Sequence, residues 1–100
     1  MAQITQETLN SIMELYHSGK LEEAEAKVKE LLSESPNEIA ILNILGIIQD
    51  AKEEYEEAIK TYKKALDLNT DVPETHFNMG SLLQRQGKNE EAMTSYKKAI

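Results

Sequence analysis

The triplet Glu-Glu-Ala occurs at 22–24, 56–58 and 90–92, and each copy begins 34 residues after the last. The second and third copies are followed, at one offset, by an identical Tyr-Lys-Lys-Ala at 62–65 and 96–99, and Gly46 and Gly80 fall into the same register. A fixed period of this length marks an array of short supersecondary units rather than a globule around one central core. Each unit is unable to bury its apolar face alone, so neighbours must stack. A chain of 100 residues holds about three such units. Ala, Leu, Ile, Glu and Lys dominate, and only two prolines and four glycines interrupt them. Apart from Ile these are helix-favouring choices, so the expected fold is all-α.

Apolar spacing predicts six helices in three pairs. The first runs from about Gln6 to His17, with Leu9, Ile12, Met13 and Tyr16 at helical spacing, Thr5 as N-cap and Gly19 as the left-handed closing residue. The second spans roughly Leu21 to Ser33; Pro36 ends the connection and Asn37 is placed to cap the third helix. That third helix, about Glu38 to Ala51, is apolar almost all round, which predicts cover on several sides, as in the middle of a stack. The fourth spans about Glu54 to Leu68. Asp71 and Glu74 then read as a capping box with Pro73 in the first turn of a fifth helix, which closes on Gly87. The sixth begins near Asn89 and is still in progress at Ile100. A solenoid normally ends on a helix with a polar outer face. The expectation is therefore a piece of a longer chain, or a short protein whose open end is covered by another copy.

The formal charge of −7 argues against nucleic acid and anionic membranes as partners, since both need a basic surface. There is no cysteine, hence no disulfide and no thiolate metal site. The start of the chain, Met-Ala-Gln-Ile-Thr-Gln-Glu, has neither the basic stretch nor the apolar core of a signal peptide. The longest apolar stretch, Ile39 to Ile48, is broken by Asn43 and is too short to cross a bilayer, so a cytoplasmic location is the default. The repeated adjacent glutamates point about 100° apart on a helix and do not form a catalytic pair. They suit the first turn of each second helix, with Lys63-Lys64 and Lys97-Lys98 complementing its other end. Neither His17 nor His76 has a metal-ligand partner at helical spacing, and no nucleophile elbow or phosphate loop is present. No enzyme activity, metal or cofactor is expected.

These residues resemble the tetratricopeptide repeat. The helix A signature reads Leu42-x-x-Leu45-Gly46 and His76-x-x-Met79-Gly80; the helix B signature reads Ala58-x-x-x-Tyr62 and Ala92-x-x-x-Tyr96. The first copy keeps Ala24-x-x-x-Val28 but carries Ile12 at the glycine position, and Glu53 stands where Gly19 and Gly87 predict a glycine. The resemblance covers nearly the whole chain. It implies a right-handed superhelical solenoid of antiparallel helix pairs, with repeats at approximately 5–36, 37–70 and 71–100 and the last lacking a capping helix. The chain also looks like the N-terminal part of a larger bacterial-type repeat protein.

In this family the concave face of the A helices binds a peptide or helix of another protein. By register that face offers Gln6, Leu9, Asn10, Met13, Tyr16 and His17, then Asn43, Ile44, Ile47, Asp50 and Ala51, then Glu74, Phe77, Asn78, Ser81, Gln84 and Arg85. Asn10, Asn43 and Asn78 would form a rough line of amides able to bond a peptide backbone, with Met13, Ile44, Ile47 and Phe77 as apolar contacts. Receptors of this family for acidic chaperone tails use a Lys, Asn, Asn, Lys, Arg clamp. The matching positions here are Leu9, Met13, Ile44, Glu74 and Asn78, which excludes that partner on charge. The leading expectation is a protein-interaction scaffold. The alternatives are a substrate-recruiting arm of a larger glycosyltransferase- or sulfotransferase-like enzyme, and a self-assembling unit docking through Ala92, Met93, Tyr96 and Ile100.

Overall fold

The computed structural model describes residues 4–100, so the first three residues of the N-terminal stretch lie outside it. Among the described residues there are six helices and no strand: α1 (Gln6–His17), α2 (Leu21–Glu34), α3 (Ile39–Ala51), α4 (Tyr55–Leu68), α5 (Pro73–Arg85) and α6 (Asn89–Ala99). Each helix packs on the next, and α3 also touches α5, giving a stack of hairpins with extents of 39 × 27 × 20 Å. This is the solenoid of antiparallel helix pairs expected from the period.

The three turns within pairs are the same device. Gly19 N–H donates to the Tyr16 carbonyl and Lys20 N–H to Leu15, at 3.1 and 2.8 Å. The pattern recurs at Glu53 and Glu54, and at Gly87 and Lys88. Such a double bond closes a helix through one left-handed residue. Gly19 and Gly87 have φ of 77° and 78°, and Glu53 follows them at 64° despite its side chain. The seams on either side over-determine this turn, so a glutamate is held in a conformation that costs an L-residue roughly 1–2 kcal/mol.

The caps are less regular than the sequence suggests. Thr5 does cap α1, accepting from the Thr8 N–H at 3.2 Å. Asn37 does not cap α3, whose N-cap is Glu38 with no side-chain bond. The Asp71/Glu74 box is also absent: Val72 is the N-cap of α5, and the Asp71 N–H is taken by Asn69 Oδ1 at 2.9 Å. Pro73 at the head of α5 forces the preceding residue into an extended conformation, which shifts the cap by one position.

Within the second and third pairs, tyrosine is laid against glycine. A Cβ added to Gly46 would lie 2.6 Å from Tyr62 Cζ, and one added to Gly80 would lie 2.8 Å from Tyr96 Cδ1. The rings thus cover the glycines of their own pair, and Tyr62 also joins the cluster of Met79, Leu82 and Leu83 from the next one. The first pair solves the same packing problem differently. At the matching positions it has Ile12 and Val28, both fully buried in one cluster. Side-chain bulk is shared between the two helices there instead of residing in one ring, a redistribution that cores tolerate when total volume is kept. Leu42, Leu45, Ala58, Met79 and Ala92 are buried alongside these crossings.

Candidate functional site

α3, α4 and α5, with the end of α1, enclose a cleft of about 450 Å³ lined by Tyr16, Ile47, Asp50, Ala51, Glu53, Tyr55, Tyr62, Asn78, Ser81 and Arg85. Helical spacing brings Ile47, Asp50 and Ala51 to one face of α3, and Asn78, Ser81 and Arg85 to the facing side of α5. An ion pair spans the two helices. Arg85 clamps Asp50 through two nitrogens: Nε donates to Oδ1 at 3.3 Å and an Nη to Oδ2. The carboxylate is nearly buried while half of the arginine side chain stays in solvent. Asn78 points its Nδ2 group into a buried position with no hydrogen-bond partner. Tyr62 is buried behind it, and burial pushes its phenol well above the ordinary range, followed by smaller contributions from Tyr16 and Glu74.

Seven of the residues expected on the groove face meet here: Tyr16, Ile47, Asp50, Ala51, Asn78, Ser81 and Arg85. The others are placed elsewhere. Asn43 is only 2% exposed and its Oδ1 accepts from Thr75 Oγ1 at 2.9 Å. It is the fastening between α3 and α5, not a groove amide. The line of amides fails because the residue 34 positions from both Asn10 and Asn78 is Ile44; Asn43 lies one residue off, about 100° around the helix. Phe77 shares the register of Leu9 and Asn43, the stacking positions. It is 55% exposed and rests against Tyr96 with centroids 5.7 Å apart. Gln84 accepts from the Tyr96 hydroxyl at 2.8 Å. His17 is exposed and edge-on to Tyr16, which takes the lining position instead. Asn10 is exposed and receives a bond from Gln6 at 2.9 Å, and Met13 is half-buried outside the lining. Sequence reasoning missed Glu53, Tyr55 and Tyr62 as lining residues. The first two sit at a turn whose geometry the missing glycine obscured.

Two family models match the chain, one described as TPR repeat over residues 51–87 and one as Tetratricopeptide repeat over residues 75–100. The chain belongs to the tetratricopeptide-repeat family. Human tetratricopeptide repeat protein 7A is 30% identical to this tetratricopeptide-repeat chain over 82 residues, which is 82% of the chain and 10% of the relative. A probable biofilm formation methyltransferase, WspC of Pseudomonas putida, is 31% identical over 81 residues, or 81% of the chain and 19% of the relative. The chain therefore spans a small part of the relatives it matches. Among solved structures, the type III secretion translocator chaperone SycD of Yersinia enterocolitica superposes with a TM-score of 0.87 at 22% identity, covering 94% of this chain and 70% of SycD. MamA of MSR-1 superposes with a TM-score of 0.79 at 23% identity, covering 92% and 53%. At these identities the likeness is one of fold.

Proposed function

We propose that this tetratricopeptide-repeat array, divided at about 5–36, 37–70 and 71–100, is a protein-interaction module. It binds a peptide or helix of a partner in the cleft between α3 and α5 and performs no chemistry of its own. The observation that carries the reading is the cleft itself, in which Tyr16, Ile47 and Tyr55 stand beside Asn78, Ser81 and the Asp50–Arg85 pair. An incoming backbone could bond the Ser81 hydroxyl, and Tyr16, Ile47 and Tyr55 would give apolar contact. An acidic tail is disfavoured here, since Arg85 is already held by Asp50 and Glu53 adds negative charge. The experiment is affinity capture from lysate with Asn78→Ala and Ser81→Arg as controls, both verified as folded by circular dichroism. The reading expects at least one captured protein to be lost with each variant. Retention of every captured protein by both variants refutes the site.

Two other readings have specific support. The likeness to WspC favours an array that recruits substrates for a larger enzyme, a methyltransferase in that relative rather than the sugar- or sulfate-transferring enzymes expected from the sequence. Self-assembly is favoured by an apolar cleft of about 420 Å³ at the far end, lined by Pro73, Glu74, Phe77, Tyr96, Ala99 and Ile100. Light scattering over a concentration series separates that reading from the others, because a strict monomer removes it.

A further inference from the structure

A second cleft, of about 350 Å³, lies between α4 and α6 above α5. It opens on the other side of α5: Met79 and Leu83 on its floor sit roughly 150° around that helix from Asn78 and Ser81. Its rim carries Lys63, Lys88 and Lys98 against a single carboxylate, Glu91. None of these three lysines joins an ion pair among the described residues. In a chain of net charge −7, this is a local concentration of unpaired positive charge. The floor of Ile59, Leu66, Met79 and Leu83 is apolar.

The corresponding space one seam earlier is filled from within. Thirty-four residues back, Ile59, Gln86 and Lys88 become Glu25, Lys52 and Glu54. There Lys52 Nζ sits 2.8 Å from Glu22, 2.9 Å from Glu25 and 3.4 Å from Glu54, closing the seam with a network of opposite charges. In the second seam the carboxylate of Glu25 has become Ile59 and that of Glu54 has become Lys88. Lys63 stands where Lys29 meets Glu25 in the first seam, and the carboxylate that would meet it has become Ile59.

We infer that this cleft is a second binding site, distinct from the one between α3 and α5, for an acidic amphipathic segment of a partner protein. Carboxylates of the segment stand among Lys63, Lys88 and Lys98, as Glu25 and Glu54 stand around Lys52, and a neighbouring apolar side chain lies on Met79 and Leu83. Charge selects a short peptide over a nucleic acid or an anionic bilayer. A polyanion feels the net negative charge of the whole chain, whereas a few carboxylates at contact distance feel chiefly the nearest lysines. The α3–α5 cleft does not offer this chemistry, because its arginine is already paired.

The test is an array of short, leucine-containing amphipathic peptides whose polar positions are all Glu, all Gln or all Lys, probed with the full chain. Wild-type protein is expected to retain the Glu set above the Gln and Lys sets, and to release it as salt is added. Replacing all three lysines (Lys63→Gln, Lys88→Gln, Lys98→Gln) lowers capture by about tenfold, while the matching triple change to Arg preserves it. All three lysines are exposed, so both variants keep the fold, and melting curves check this. Ser81→Arg in the other cleft leaves capture of the Glu set unchanged. Failure to capture the Glu set, equal capture of the Gln set, or undiminished capture by the triple Gln variant overturns the inference. Loss of capture with Ser81→Arg alone also overturns it, while leaving the α3–α5 reading intact.

Discussion

The first hairpin and its seam with the second are built from different chemistry than the second hairpin and its seam with the third, although each position corresponds at 34 residues. Inside the hairpins, Ile12 and Val28 stand where Gly46 and Tyr62 do. Between A helices, Leu9 packs on the cluster containing Ile41 in the first seam, whereas Asn43 and Thr75 share a buried hydrogen bond in the second. On the B-helix side the polarity is reversed. The first seam holds the Lys52 network, and the second has Ile59 and Gln86. The first seam thus sets an apolar layer opposite a polar one, while the second sets the Asn43–Thr75 bond opposite a mixed layer of Ile59 and Gln86. The apolar layer supplies burial; the polar layer fixes register, because a one-residue slip would leave Asn43 or Glu25 buried without its partner. A repeat fold therefore asks for complementary volume at each junction, not for particular residues.

The largest expected effect tests the contrast within hairpins. Gly46→Leu should cost about 3 kcal/mol, because the Tyr62 ring already occupies the space and the buried ring has nowhere to retreat. Adding Tyr62→Val imitates the first hairpin and should recover part of the loss. Thermal melts of the single and double variants decide it, and strict additivity would show that the glycine and tyrosine are not one packing unit. Next, Thr75→Val should cost roughly 2 kcal/mol, since it orphans the buried Asn43 amide. The further change Asn43→Leu, copying the apolar layer of the first seam, should restore most of it. If Thr75→Val alone melts like wild type, the fastening is not stabilising.

The finest test reads a slope. Glu22, then Glu25, raise the Lys52 ammonium pKa above its ordinary value of 10.5. A raised folded-state pKa gives stability that is fully present below the unfolded value and is lost as pH climbs through the folded one. The melting difference between wild type and Lys52→Met should therefore be flat at neutral pH and narrow above about pH 10.5. Buried Tyr62, also raised, loses stability in the same direction, but it is present in both proteins and cancels in the difference. A gap that stays constant into strong alkali would mean that the network contributes through packing alone.

Much of the fold is legible in the chain. The period, the small residues at 46, 58, 80 and 92, and the tyrosines at 62 and 96 specify hairpins that must stack, since each feature is local and recurs. Seven members of the α3–α5 cleft follow from register. Asn43 does not, because its amide looks like part of a series that is really carried by Ile44, and one residue of offset turns a helix by about 100°. The cap of α5 is misread because Pro73 competes with the Asp71 signal.

What the residues settle on their own is therefore the unit and its spacing, because helix periodicity, turn glycines and close-packed crossings are encoded within a few turns of chain. What required the assembled molecule is how the units join. Glu53 adopts a left-handed turn without being glycine, Thr75 reaches back to Asn43, and Lys52 gathers carboxylates from α2 and from the head of α4. Each of these depends on side chains distant in sequence being pressed together by burial, and only that proximity decides which polar groups are paired and which, like Lys63, Lys88 and Lys98, join no ion pair among the described residues.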